Sequence, residues 1–190
     1  MEFVRDDEVF DLLREQGVLP APCDDERVYL RMDESDEVVR LHMAKPDAET
    51  VPDESARVIT MDAARLPDAV EGVIHKLHLT EVLLIPVAKW RHLFDAVAFS
   101  LADNEDWQEF DAAATVERNS RDPIVCGPGD FHTVSALMRA LLSDGESPEQ
   151  GLMLTSSSVP LLVEVVPEGA IRMSFGSRAL ADEVAEAIET

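Results

Sequence analysis

The stretch 126–133, CGPGDFHT, brings a thiol, an acid and a histidine close together along the chain. A cysteine near the start of a helix can have a lowered pKa, and a histidine in the first turn can stay neutral and accept a proton. We therefore consider Cys126 and His132 a candidate catalytic pair. The alternative is a turn that leads from a buried strand into a helix, with Asp130 as the N-cap of that helix.

A second candidate is a metal site on the segment that follows Pro67. If residues 67–78 are helical, Glu71, His75 and His78 stand at positions i, i+4 and i+7, which share one face of a helix. Carboxylate oxygen and imidazole nitrogen are ligands that zinc accepts, and three of them leave a fourth position open. The alternative is a polar helix face, or a strand that sends the two histidines to opposite sides. Apart from this candidate ion, we expect no cofactor.

Basic and apolar residues alternate over 26–43, a pattern that predicts a β-hairpin with one apolar face. Val28, Leu30 and Met32 would belong to that apolar face. The opposite face would collect Arg27, Tyr29, Arg31, Arg40 and His42. Such a face can bind an acidic ligand or peptide. The alternative is that it only offsets neighbouring carboxylates across the strands.

The second half of the chain contains the clearest secondary-structure patterns. Apolar residues at helical spacing predict helices that begin near Trp90, Phe131 and Ser177. Short apolar runs predict strands at 114–117, 124–126, 152–155, 161–166 and 170–175. The order from residue 88 is then α-β-β-α-β-β-β-α. It resembles the order in Roadblock-type domains and in the acidic dimeric chaperones of type III secretion, which implies a small α+β module that dimerises and binds other proteins.

The hairpin predicted at 161–175 has a defined register. A three-residue loop that contains Gly169 would place Glu164 opposite Arg172. This register gathers the apolar residues on one face and forms a cross-strand ion pair on the other. Gly169 would take the left-handed conformation that such a loop needs.

Charge limits the classes of partner. The chain has 190 residues and a formal net charge of −23, from 39 Asp and Glu against 16 Lys and Arg. This charge argues against nucleic acid and anionic membranes, because both attract basic proteins. Dense carboxylates are typical either of adaptation to salt or of a surface that meets a basic partner. No apolar run is long enough to span a membrane, and the acidic start lacks a signal-peptide pattern, so we expect a cytoplasmic protein.

These patterns predict an α+β protein with mostly antiparallel sheet packed against helices. One lobe would cover 1–87 and another 88–190, unless the two form one continuous domain. Our leading hypothesis is a non-enzymatic acidic module that binds or regulates other proteins and acts as a homodimer. Phe99 lies off the main apolar stripe of its helix, which favours a partner chain. The alternatives are an enzyme that uses one of the two candidate sites above, and a small-molecule binding protein with a pocket between the lobes.

Overall fold

The computed structural model describes residues 1–21, 23, 27–48, 52, 54–167 and 169–189. Across these residues the strands are β1 (Glu2–Phe3), β2 (Val18–Ala21), β3 (Tyr29–Met32), β4 (Val39–Ala44), β5 (Arg57–Thr60), β6 (Val82–Pro86), β7 (Ile124–Cys126), β8 (Leu152–Thr155), β9 (Leu161–Val166) and β10 (Ala170–Phe175). The helices are α1 (Asp6–Glu15), α2 (Leu66–Lys76), α3 (Trp90–Val97), α4 (Glu105–Ala113), α5 (Phe131–Asp144) and α6 (Arg178–Glu189). The predicted α+β class is confirmed. None of the helices in the described part of the chain combines the length and apolarity of a membrane span.

Eight of the described strands form one large sheet in the order β1-β7-β6-β8-β9-β10-β4-β5, and β2 pairs with β3 in a separate ribbon. Neighbours in the large sheet are antiparallel, except that β4 and β5 run parallel. Both segments of the predicted division, 1–87 and 88–190, contribute strands to this sheet. The division into two lobes stays a prediction.

Helices α2, α3, α5 and α6 pack on one face of the large sheet. Leu41 and Met43 on β4, and Ile171 and Met173 on β10, point into this layer. Side chains on a strand alternate between two faces, so every second residue reaches the same core. The core includes a cluster of aromatic rings from Phe3, Trp90, Phe94, Trp107 and Phe110. We call this side the helix-covered face.

Helix α1 and the β2–β3 ribbon pack against the other face of the sheet, which we call the second face. The apolar residues of this smaller core are Val9, Leu13, Val18, Leu30, Met32, Leu83, Ile85, Val87, Met153 and Leu162. They belong to α1, to the ribbon, and to β6, β8 and β9 with the residue after β6. Towards β10 and β4 the second face becomes polar, because Arg172 and Arg40 alternate with the apolar residues of the helix-covered face.

The hairpin at 161–175 has the register that the sequence predicts. Glu164 pairs with Arg172 across β9 and β10. The Nη1 atom of Arg172 lies 3.1 Å from Oε2 of Glu164, which makes the expected ion pair. Gly169 has φ of +93°, the left-handed conformation expected for the loop. Local turn chemistry and side-chain alternation agree here, so the prediction needed no information from the rest of the chain.

The hairpin predicted over 26–43 is wrong, and its first residue, Glu26, lies outside the described residues. β3 pairs with β2, whereas β4 pairs with β10 and β5 in the large sheet. Leu30 packs in the core of the second face, and Leu41 packs under the helices. Apolar stripes that belong to two different cores cannot share one face of a hairpin, so the two strands separate.

The strand predicted at 114–117 is wrong as well. Ala114–Val116 forms a 3-10 turn that continues from α4. The hydroxyl of Thr115 donates back to the carbonyl oxygen of Ala112, 3.0 Å away, which is a contact typical of helical backbone. Helix α4 and one strand therefore lie between α3 and α5. This order departs from the one on which the resemblance to Roadblock-type domains rests.

Candidate functional site

Cys126 ends β7 and lies in the core of the helix-covered face, with none of its surface exposed. Burial, and then the nearby carboxylate of Asp130, raise the pKa of the Cys126 thiol to about 12, against a smaller lowering by the N-terminal ammonium group. A thiol with this pKa is neutral at physiological pH. Since the thiolate is the nucleophile, this environment gives no support to catalysis by Cys126.

His132 lies on the exposed side of the first turn of α5. Its Nε2 atom is 2.7 Å from Oδ2 of Asp106 on α4. The hydrogen bonds between described residues do not join His132 to Cys126. Asp130 precedes α5, but its carboxylate accepts a hydrogen bond from the backbone N–H of Gly127 at 2.9 Å and makes no side-chain cap to the helix. The expected capping bond is therefore replaced by one that closes the preceding turn.

The residues of the predicted metal site line one cavity of about 570 Å³, together with His132. Glu71 and His75 belong to α2, but the helix ends at Lys76. His78 follows in a turn with φ of +50°, so the spacing i, i+7 does not apply to it. The carboxylate of Glu71 lies 3.5 Å from the guanidinium of Arg139. No group of three or more His, Cys, Asp or Glu among the described residues has an arrangement that could hold a metal ion.

Three of the five residues of the predicted basic face line another cavity, of about 380 Å³, on the second face. Arg31 comes from the ribbon, and Arg40 and His42 come from β4. Arg172 of β10 and Glu164 of β9 complete the charged lining. We call this space the first basic cavity. The ribbon strand β3 and the sheet strand β4 are not a hairpin, yet they contribute to the same space because the ribbon packs on the second face.

A cross-strand row forms the charged part of this cavity. Glu164 pairs with Arg172, and Arg172 pairs with His42, on three neighbouring strands. His42 is only 2% exposed. Burial, and then the positive charge of Arg172, lower the pKa of His42. The imidazole is therefore neutral at pH 7, and the guanidinium of Arg172 carries the positive charge of the row.

The remaining two residues of the predicted basic face line a neighbouring cavity of about 390 Å³, which we call the second cavity. The guanidinium carbon of Arg27 lies 5.7 Å from the centre of the Tyr29 ring. Its Nη1 atom is 3.4 Å from the Tyr29 hydroxyl oxygen. A cation above an aromatic face is stabilised by the ring quadrupole, so Tyr29 orients Arg27. Glu164 and Arg172 border both cavities.

Arg172 and Glu164 are site residues that the sequence analysis did not include. The hairpin register identified them as an ion pair on a polar face, which was a usable signal. What the local pattern lacked was the pairing of β10 with β4, two strands far apart in the chain. That pairing sets Arg172 beside His42.

The guanidinium groups of the arginines make this cavity suitable for an anionic group. Their planar N–H forks match the oxygens of a carboxylate or a phosphate, and they stay charged at all accessible pH values. Around the cavity, Arg31 donates to Glu34 at 3.2 Å and Arg40 to Ser55 at 3.4 Å. The contact of Arg31 with Glu34 is an exposed ion pair, which is weak and exchanges readily. An anionic ligand could therefore compete for the guanidinium of Arg31.

No protein-family model, curated protein or solved structure matches this chain.

Proposed function

We propose that this protein is a non-enzymatic binding module that takes an anionic ligand, through a carboxylate or phosphate group, in the first basic cavity. The observation that carries the proposal is the convergence of Arg31, Arg40 and Arg172 on one cavity of about 380 Å³. They come from the ribbon and from two strands of the large sheet. Such convergence is notable in a chain with 39 acidic and 16 basic residues.

The net charge of −23 does not prevent this function. Charges separated by more than about 8 Å are largely screened at physiological ionic strength, whereas a guanidinium in contact with a ligand is not. Local contacts therefore decide whether an anion binds, and the distant carboxylates mainly slow its approach. The imidazole of His42 is almost wholly buried and neutral, so it adds no charge of its own to the lining of this cavity.

Protein binding as a homodimer remains part of the proposal as a prediction. Phe99 is 92% exposed, which supports an apolar contact with another chain, because a large exposed aromatic side chain gains free energy when it is covered. Sedimentation equilibrium over micromolar concentrations tests it. A monomer at every concentration would remove the dimer and leave the ligand-binding proposal untouched.

The ligand-binding proposal is tested with glutarate and inorganic phosphate as probes, followed by NMR of the backbone amides and arginine side chains. We expect the largest shift changes at Arg31, Arg40 and Arg172. Arg40→Gln should weaken binding by about tenfold or more, since a hydrogen bond to a charged group contributes about 1.5–3 kcal/mol.

The matched control is Arg139→Gln, which removes the same charge from an arginine that pairs with Asp68 at 2.6 Å, away from the first basic cavity. It should leave binding of both probes within about twofold, because screening removes most of its influence. Absence of binding by both probes, or an equal loss in the two variants, would overturn the proposal. Thermal unfolding of each variant checks that the fold is intact.

A further inference from the structure

A third cavity, of about 340 Å³, is lined by more basic side chains than either of the other two. Arg27 borders it, together with Lys89, Arg91 and Arg121, and His92 lies among them. Glu149 is the one carboxylate among its described lining residues. The pKa of Glu149 is lowered, first by hydrogen bonds from its own backbone and from Ser147 and then by the charges of Arg27 and His92.

The three cavities are contiguous. Glu164 and Arg172 border the first and the second, and Arg27 borders the second and the third. Leu162 lines the first cavity and Pro167, directly after β9, lines the second, so the two cavities follow one another along this strand. Five residue steps of a strand cover about 16 Å. The cavities thus form one groove, which is longer than a small dianion.

The ends and the middle of this groove differ in chemistry. In the second cavity, in the middle, Tyr29 and Pro148 present apolar surface beside Arg27, Glu164 and Arg172, and the buried Val87, Val165, Val166 and Pro167 form its floor. The first and third cavities, at the ends, carry most of the charge. Among the described residues that line all three, seven are Lys or Arg and two are Glu.

Resting on the proposed function, we propose that the groove binds an extended acidic peptide segment of a partner protein, with acidic residues at both ends and apolar residues between them. Carboxylates would meet Arg31 and Arg40 at one end, and Arg91 and Arg121 at the other. The middle residues would pack on the apolar lining around Tyr29. Extended peptides use such alternation of charged and apolar pockets for specificity.

A peptide fits these observations better than a nucleic acid does. A polyanion would leave its backbone charges over the apolar middle of the groove and against the whole acidic surface. The start of α3 also offers little to a phosphate, because the backbone N–H groups of Trp90 and Arg91 already donate to Ser120 and Arg118. Recognition at that end depends on side chains, which suit carboxylates as well as phosphates.

The test uses a labelled peptide of about ten residues, which spans about 33–36 Å when extended and so reaches beyond the roughly 16 Å along the first two cavities to the third. It carries three glutamates at each end and a Val-Pro repeat between them. Fluorescence anisotropy would compare the wild type with Arg40→Gln, with the double variant Arg91→Gln/Arg121→Gln, and with Arg139→Gln. Glutarate binding is measured on the same four proteins.

We expect both Arg40→Gln and the double variant to weaken peptide binding by about tenfold or more, and Arg139→Gln by less than about twofold. A peptide with glutamine in place of glutamate, or with Gly-Ser in the middle, should bind at least about tenfold more weakly. Glutarate should respond to Arg40→Gln alone, because it occupies only the first basic cavity.

The two proposals fail in different ways. Loss of glutarate binding altogether would overturn the proposed function. Normal glutarate binding, with peptide binding that ignores the Arg91→Gln/Arg121→Gln change, would overturn the extended groove and leave the first basic cavity as a site for small anions. A single-stranded oligonucleotide of equal length that binds more tightly and displaces the peptide would overturn the assignment of a peptide ligand.

Discussion

The two faces of the large sheet are built from the same strands but differ in chemistry. On β4, Leu41 enters the helix-covered core, and the next residue, His42, faces the first basic cavity. On β10, Met173 and Arg172 divide in the same way. The helix-covered face is apolar across its width and gives stability. The second face is apolar only under α1 and the ribbon, and its charged remainder lines the first basic cavity, where we propose that an anion binds. Core residues and residues of the proposed site are thus separated by one residue step along a strand.

The largest expected effect concerns Cys126 on the helix-covered face. Its pKa rises from 9.0 to about 12, so at neutral pH the reactive thiolate is about a thousandfold scarcer than for an ordinary thiol. We expect Cys126 in a Cys23→Ser variant to react with a thiol probe at least about a thousandfold more slowly than after unfolding in urea. The Cys126→Ser variant, which keeps Cys23, is the control. Fast labelling of folded Cys126 would restore the catalytic pair as a hypothesis and erase the contrast between the faces.

Phe94 gives the next largest effect. Its ring lies 5.1 Å from that of Trp107 and 5.7 Å from that of Trp90, centre to centre. Phe94→Ala should lower the free energy of unfolding by about 3–5 kcal/mol, because it empties a packed site. Phe99→Ala is the matched control, compared at a protein concentration low enough for the chain to be monomeric, and should change it by less than about 0.5 kcal/mol, since that ring is exposed in the single chain. Urea unfolding measures both. Equal losses would contradict the packing of Phe94 in the core.

His42 predicts a pH effect that belongs to the second face. Its folded-state pKa lies below the ordinary value of 6.5. As the pH falls, the unfolded state therefore takes up the proton first, so the contribution of His42 to stability is full above about pH 6.5 and is lost as the pH falls through the folded-state pKa. The slope from one group is at most about 1.4 kcal/mol per pH unit.

The measurement is urea unfolding of the wild type and His42→Gln between pH 5 and 7. Between pH 5 and 7, the free energy of unfolding of His42→Gln should change less steeply with pH than that of the wild type. The exposed His75→Gln should keep the slope, which separates a specific effect from a general loss of imidazole. Identical slopes in all three proteins would contradict the buried position of His42.

The smallest effect is expected from the ion pair between Glu164 and Arg172. Both side chains are partly exposed, so solvent screens most of their attraction. A double-mutant cycle with Glu164→Gln and Arg172→Gln should give a coupling free energy of about 0.5–1 kcal/mol. A coupling above about 2 kcal/mol would show that charged residues of the second face contribute to stability as the apolar face does, and the contrast between the faces would be weaker than proposed.

The sequence patterns correctly predicted those features of the fold that depend only on neighbouring residues. The β9–β10 hairpin, with its ion pair and its left-handed Gly169, followed from turn chemistry and from the period of two in a strand. The same alternation correctly gave Leu30 and Leu41 as buried residues, whereas a binding role for Arg31 and Arg40 stays a prediction. The alternation did not predict which of the two cores each apolar stripe joins. Periodicity indicates that one face of a strand is buried, but it does not identify the element that covers that face.

The candidate site shows the same limit. The basic residues near the N-terminal end were visible in the sequence, but Arg172 was assigned only to its ion pair, and Arg91 and Arg121 were not considered. They reach the groove through long-range pairing and packing that no short window contains. The metal hypothesis extended helix α2 by two residues too many, since His78 takes a left-handed conformation beyond its end.

The strand order has a consequence for how the protein is made. The antiparallel partner of β4 is β10, and Ala44 pairs with Ala170, 126 positions later. At a synthesis rate of about 5–20 residues per second, β4 waits roughly 6–25 s on the ribosome before that partner exists. During this interval Leu41 and Met43 have no β10 beside them, and contacts between distant parts of a chain form slowly in any case. We therefore expect the chain to be most prone to aggregation, and most dependent on chaperones, while only its N-terminal half has been synthesised.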